Sequence, residues 1–311
     1  MAQHRTIVVA LDGTPASETV IPYAADLARQ GHLDLLLVHV IDPQIVDAVS
    51  SEGHTVYVDE ALDWHLVHAR QYLRVQAERV AQDGLAVHTD VEVGAPAEAI
   101  VQAARHGDAA CIAMATHGRV GFARWALGSV ADQVLTLADR PVLLLRACKA
   151  QGSPAPLSSI ILPLDGSDLA EKALPEAEHY ARTMGGKVIV LRAVRPVPYL
   201  PVEQGVVGAT VELDAARRYT DFVTGWLGQR VPAAEGYAEL GSPVDEVVAL
   251  AQGTPGSMVV MSTHGRSGIG RAVLGSVTNQ IVRQCGRPVL VVPPGAWKDQ
   301  VAEKPRVTTA A

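Results

Sequence analysis

Ala115-Thr116-His117-Gly118, nine residues, then Gly128-Ser129: this arrangement occurs twice in the chain. Moving 147 positions on gives Ser262-Thr263-His264-Gly265, nine residues, then Gly275-Ser276. Arg119, Gly121, Arg124 and Leu127 recur as Arg266, Gly268, Arg271 and Leu274. Each copy follows a short apolar run, Ala109 to Met114 or Ser257 to Met261, and precedes an apolar helical pattern. That context reads as strand, glycine-bearing loop, helix start. Such a loop aims backbone N–H groups and the positive end of a helix dipole at one place, which suits an anion.

Working outward, the rest of the chain follows the same plan twice. Thr6 to Leu11 is a continuous apolar run ending at Asp12-Gly13, as a parallel strand covered on both faces would be. Pro15 to Arg29 reads as a helix with Thr14 as its N-cap and Gly31 as its stop. Leu33 to Val40 is the second strand, Val58 to Ala81 a long amphipathic helix, Ala86 to Val93 the third strand and Ala97 to Arg105 a short helix. Ala109 to Met114, Val130 to Ala138 and Pro141 to Leu145 complete the set as strand, helix, strand. The second copy runs Ile160 to Leu164, Asp168 to Met184, Lys187 to Val194, a proline-rich loop to Gly208, Ala209 to Gln229, Gly236 to Leu240, and so to a last strand at Pro288 to Val292. Strands alternating with helices predict a parallel, doubly wound α/β sheet in each half. The predicted domains are 1–147 and 159–294, joined by a Gly/Pro-containing linker at 148–158, with a polar and disordered tail at 295–311.

The first aspartates, Asp12 and Asp165, are 153 apart, whereas the glycine motifs are 147 apart. Domain 1 therefore carries six extra residues, expected around the loop and long helix after strand two. Identity between the copies concentrates at the strand carboxyl ends, the edge where open α/β sheets bind ligands.

Composition narrows the class. The chain is 311 residues long with net charge −7, 48% hydrophobic and only 4% aromatic residues, so the core should be aliphatic and a nucleic-acid backbone is not an expected partner. No apolar run is long enough for a membrane span, and the N-terminus reads as lacking a signal peptide. Three widely spaced cysteines, Cys111, Cys148 and Cys285, suit a reducing compartment. A cytoplasmic location is expected.

The strand-end aspartate, the small-residue motif with x-x-G-x9-G-S, and the closing Arg-Pro-Val-Leu strand resemble the universal stress protein family, as a tandem of two domains. The resemblance implies Rossmann-like folds of the adenine nucleotide alpha hydrolase-like type, each a five-stranded parallel sheet in order 3-2-1-4-5 with helices on both faces. It implies an adenine nucleotide as ligand: ATP, or AMP or ADP, with Mg as an optional companion of the phosphates. Carried over by position, it puts Asp12 and Asp165 at the adenine and ribose end, with main-chain groups of Val40 and Val194 nearby. It puts Met114, Ala115, His117, Gly118 and Arg119 along ribose and phosphates in domain 1, and Met261, Ser262, His264, Gly265 and Arg266 in domain 2. Gly128, Ser129 and Val130, and Gly275, Ser276 and Val277, would hold the phosphates. Ala115 and Ser262 depart from the family's glycine at that place.

The chemistry of the residues agrees with that implication. A glycine lets the main chain approach a phosphate closely, a serine hydroxyl can donate to its oxygens or cap the helix, and an aspartate can accept from a ribose hydroxyl or an adenine amino group. No nucleophile–histidine set and no Walker lysine accompanies His117 or His264. His65 and His68 lie three apart, a helical spacing that could present two metal ligands, but a solvated face is the plainer reading. The expected function is therefore a stress-response regulator that binds adenine nucleotide in both domains. An interaction module with a vestigial site and a weak ATPase are the alternatives. The apolar fifth strands, Pro141 to Leu145 and Pro288 to Val292, are expected to associate the domains as an intramolecular pseudo-dimer, as they associate domains in the family; pairing of two chains as a homodimer stays open.

Overall fold

A computed structural model of the chain describes residues 6–43, 58–81, 84–116, 128–147, 154–195, 202–263 and 274–297. The chain divides into two compact units, Met1–Ser153 and Pro154–Ala311. In domain 1 the order is β1 (Thr6–Leu11), α1 (Ile21–Gly31), β2 (Asp34–Ile41), α2 (Val58–Ala81), β3 (Val87–Val93), α3 (Pro96–His106), β4 (Ala109–Thr116), α4 (Ser129–Leu137) and β5 (Val142–Arg146). Its strands lie in the order β3-β2-β1-β4-β5, all parallel. Domain 2 repeats this with β6 (Ser159–Pro163), α5 (Leu174–Met184), β7 (Lys187–Val194), α6 (Val202–Leu227), β8 (Ala233–Leu240), α7 (Pro243–Gly253), β9 (Ser257–Ser262), α8 (Ser276–Gln284) and β10 (Val289–Val292). The order there is β8-β7-β6-β9-β10, again parallel. Strand order reverses between β1 and β4 and between β6 and β9, and the carboxyl ends of such pairs are where open α/β sheets bind ligands.

The central strands are buried because both faces are covered, which is why their sequences are unbroken apolar runs. Ile7, Val8 and Val9 of β1, and Ile160, Ile161 and Leu162 of β6, have no exposed surface. The largest fully buried side chains are all Ile or Leu, so the core is aliphatic as composition predicts. Cys111 and Cys285 are buried, and burial pushes the Cys285 thiol up from its ordinary value. Cys148 lies outside the described residues.

Several boundaries differ from the sequence expectation, each for a local reason. The helix expected from Pro15 begins as a 3-10 turn, Ser17–Val20, and becomes α-helical only at Ile21; its copy does the same through Ala170–Ala173 and Leu174. Pro22 and Pro175 set the start, since a residue without an N–H is accommodated in the first turn of an α-helix. Gly31 lies inside α1, and His32 takes the left-handed cap at φ 52° instead. Helix α6 begins at Val202, where a proline-rich loop was expected to run on to Gly208; Gly205 and Gly208 each cost only about 1 kcal/mol inside a helix. Leu157, assigned to the linker by composition, is buried, and Ser158 N–H donates to the Gly256 carbonyl at 2.9 Å, so both belong to domain 2. At the other end Pro294–Ala296 forms a 3-10 turn with Ala296 buried, and Lys172 lies over the Trp297 ring, so the expected tail starts later than residue 295.

The six-residue difference falls between the second and third strands of each domain. Ile41 and Val194, which end β2 and β7, are 153 apart, whereas Val93 and Leu240, which end β3 and β8, are 147 apart.

Candidate functional site

Domain 2 has a cleft of about 580 Å³ at the carboxyl ends of its strands. Asp165, Val194, Met261 and Ser262 line it from the strands, and Gly275, Ser276 and Val277 from the start of α8. The strand that supplies each residue explains its position. Asp165 follows β6, and its carboxylate is held by its own turn: Oδ1 accepts from Ser167 N at 2.9 Å and from Ser167 Oγ at 2.6 Å. Val194 ends β7, and its carbonyl accepts from Gly241 N at 2.9 Å. Met261 and Ser262 end β9 and are buried, Ser262 to 3% exposure.

Domain 1 arranges its copies alike. Asp12 Oδ1 accepts from Thr14 N at 3.0 Å and Thr14 Oγ1 at 2.6 Å. Met114 and Ala115 are buried in β4, whose Met114 pairs in register with Ala10 of β1. Gly128 precedes α4, and Ser129 and Val130 are its first residues. The two strand-end valines are not at equivalent positions. The counterpart of Val194 is Ile41, not Val40, because the Ile41 carbonyl accepts from Gly94 N at 3.0 Å as Val194 accepts from Gly241; Val40 stands one position earlier in β2. His117, Gly118 and Arg119, with His264, Gly265 and Arg266, lie outside the described residues.

The two helix-start glycines serve the fold for different reasons. Gly128 has φ +121°, a conformation a side chain rarely adopts, and none of the described residues crowds it. Gly275 has φ −56°, open to any residue, but a Cβ there would lie 2.8 Å from the Thr263 carbonyl oxygen, to which its own N–H donates at 2.8 Å. Neither α4 nor α8 has a side-chain cap, so Ser129 and Ser276 do not act as N-caps; they are the first helical residues. The first-turn N–H groups of α8 thus meet the cleft, whose lining includes Ser276, Val277 and Thr278.

The sequence reading missed a set of residues that brackets the aspartate end. In domain 2 the Arg192 guanidinium lies over the Tyr219 ring at 4.8 Å, and the Tyr219 hydroxyl donates to Glu171 Oε1 at 2.9 Å. Arg192 and Glu212 line the cleft with Asp165. In domain 1 the Tyr72 hydroxyl donates to Glu18 Oε1 at 3.2 Å, and His39 packs edge-on to Tyr72 with ring centroids 6.0 Å apart. Burial, then the neighbouring glutamate, holds both tyrosines protonated well above the ordinary phenol range. Glu18 and Glu171, and His39 and Arg192, are 153 apart, and Tyr72 and Tyr219 are 147 apart. Aligning the copies at both offsets, and not only at the glycine motif, would have found them.

His65 and His68 both pack against Trp64, His65 edge-on with ring centroids 5.0 Å apart. His68 Nδ1 donates to the Trp64 carbonyl at 2.7 Å, with its ring on Trp64 at 3.7 Å. Among the described residues no group of three potential ligands could hold a metal ion, and no helix is long and apolar enough to cross a membrane.

These features define a class: a tandem of two doubly wound α/β domains, with a cleft described at the strand carboxyl ends of domain 2. Residues 3–146 and 157–293 each match the universal stress protein family, and the chain belongs to that family. It is 24% identical over 294 residues to a universal stress protein of Mycolicibacterium smegmatis, covering 93% of this chain and 97% of that one. A universal stress protein of Methanocaldococcus jannaschii is 29% identical over 148 residues, covering 48% of this chain and 85% of its own. In fold the chain is similar to the crystal structure of a universal stress protein from Archaeoglobus fulgidus, with a TM-score of 0.66 at 19% identity, over 94% of this chain and 99% of that one.

Proposed function

We propose that the protein binds an adenine nucleotide, ATP, ADP or AMP, in each domain and acts as a stress-response regulator through that occupancy. One observation carries the reading: seven residues chosen for nucleotide contact from sequence line a single cleft of domain 2. The cleft volume, about 580 Å³, suits a ligand of nucleotide size. Asp165 at the β6 end supplies an acceptor for ribose or adenine donors, and the uncapped start of α8 supplies N–H donors and a dipole for phosphates. Hydrolysis is not part of the proposal.

The test is mass spectrometry of small molecules released on denaturing the purified protein, followed by calorimetry with ATP, ADP and AMP. The expected result is a released or titrating adenine nucleotide, with affinity reduced about tenfold or more by Asp165→Ala through loss of its acceptor. Because Asp165 also holds its turn, Asp165→Asn serves as the companion variant. No binding of any of the three nucleotides to folded protein would overturn the reading.

A further inference from the structure

In both domains one run of hydrogen bonds leads from the long helix to the strand-end aspartate. In domain 2 the Tyr219 hydroxyl of α6 donates to Glu171 Oε1 at 2.9 Å. Glu171 N donates to the Ser167 carbonyl at 3.1 Å, and Ser167 N and Oγ hold Asp165 Oδ1. In domain 1 the Tyr72 hydroxyl of α2 donates to Glu18 Oε1 at 3.2 Å, and Glu18 N donates to the Thr14 carbonyl at 3.4 Å. Thr14 N and Oγ1 hold Asp12 Oδ1. Each glutamate belongs to the 3-10 turn that follows its aspartate. The pairing survives the length difference between the copies: tyrosine and glutamate are 54 residues apart in domain 1 and 48 in domain 2.

The ring of each tyrosine meets the same turn by a second route. Gly13 and Gly166, which follow the two aspartates, have φ of +83° and +80°. Three guanidinium atoms of Arg192 stand 3.2 to 3.5 Å from where a Cβ on Gly166 would be, and that guanidinium lies over the Tyr219 ring at 4.8 Å. In domain 1 His39 takes this place, with Cε1 3.8 Å from the corresponding point on Gly13 and its ring edge-on to Tyr72 at 6.0 Å. What the copies share here is a flat side chain between glycine and phenol, and not its charge. Each tyrosine therefore braces its aspartate's turn twice, by the hydroxyl through the glutamate and by the ring through the flat group.

We propose that Tyr72 with Glu18, and Tyr219 with Glu171, are positioning residues for nucleotide binding: each pair fixes the turn whose aspartate carboxylate meets the nucleoside end of the ligand. The proposal rests on the nucleotide reading above. An acceptor held in place before the ligand arrives binds it without the cost of being ordered at that moment. A hydrogen bond to a carboxylate is of the stronger, charge-assisted kind, so the glutamate is a firm anchor for the phenol. Packing alone would be served by phenylalanine, whereas both copies keep a hydroxyl aimed at a glutamate of the turn.

The experiment combines Tyr72→Phe with Tyr219→Phe in the full chain, which removes both hydroxyls and keeps both rings, and measures binding of ATP, AMP and adenosine by calorimetry. Affinity is expected to fall about three- to tenfold, and by the same factor for all three ligands, since the disturbed contact is at the nucleoside and not at the phosphates. In a chain that already carries Asp12→Ala and Asp165→Ala, adding the two phenylalanines should change affinity by less than about twofold, because no carboxylate is left to position. Circular dichroism verifies folding; where the alanine pair fails to fold, Asp12→Asn with Asp165→Asn replaces it and reads the same coupling. Urea unfolding runs alongside. A loss of stability with all three affinities unchanged would make the pairs structural only and overturn the proposal. So would an affinity loss confined to ATP, or one that persists undiminished without the carboxylates. Absence of binding of all three ligands to folded wild-type protein would instead overturn the nucleotide reading itself.

Discussion

At the scale of single residues, His39 gives the clearest consequence. Burial dominates its surroundings and lowers its pKa below the ordinary 6.5, outweighing Asp12 and the Leu11 backbone, which act the other way. The sign of the effect on stability follows by linkage. A folded chain that binds a proton less readily than the unfolded chain loses stability as pH falls through 6.5 toward the depressed value, and keeps it above. Urea unfolding should therefore show the wild type losing stability relative to His39→Gln between about pH 7.5 and about pH 5.5. Parallel pH profiles would show that the imidazole is as free to protonate in the folded protein as in the unfolded one. The same scale shows where sequence reading stops. That positions 128 and 275 are glycine was plain, but one is needed for its dihedral and the other for its distance from the Thr263 carbonyl. Both demands come from the fold before any ligand is considered, so a glycine at a helix start is weaker testimony for a phosphate than its spacing suggests. Arg192 and His39 went unread because a polar residue near a strand end has no signature until its tertiary neighbours are known.

At the scale of elements, the central strands and most helices were legible, because period and burial agree. A strand covered on both faces must be apolar along its middle, and β1, β4, β6 and β9 are, with Thr or Ser only at their ends. What the sequence left unread were starts and ends, where Pro22, Pro175 and His32 act through backbone geometry and not through hydrophobic pattern. Helix α2 shows the same logic energetically. Its inner face places Ala69, Leu73 and Gln76 in the core, with Leu73 fully buried and Gln76 donating to Glu18 Oε1 at 2.9 Å, whereas Trp64 on the same helix is 56% exposed. Leu73→Ala should cost about 2–5 kcal/mol by lost transfer and cavity formation, and Trp64→Ala, as an exposed substitution, about 0.5 kcal/mol or less. Chemical denaturation of the two variants measures both. Similar losses would mean that the indole covers apolar surface despite its exposure.

At the scale of the whole chain, duplication is what made the candidate site readable, and it also supplies an internal control. Each domain has its own buried sheet, and in each the strand order reverses beside the first strand. A ligand held at that reversal touches the carboxyl ends of strands and the start of one helix, and leaves the amino ends and the outermost strands untouched. Hydrogen exchange with and without ATP tests this across the chain at once. Ligand at about a hundred times its dissociation constant stabilises the bound form by about 2.7 kcal/mol and slows exchange through the coupled openings by up to about a hundredfold. Protection in domain 2 should gather over residues 163–166, 192–195, 261–263 and 275–278, and in domain 1 over the corresponding ends of β1, β2 and β4 and the start of α4. Strands β3 and β8, with Val93, Tyr237 and Leu240 exposed, should change least. Protection centred on β3 and β8, or on the amino ends of the strands, would locate the nucleotide away from the reversal and separate the fold's cleft from the protein's function.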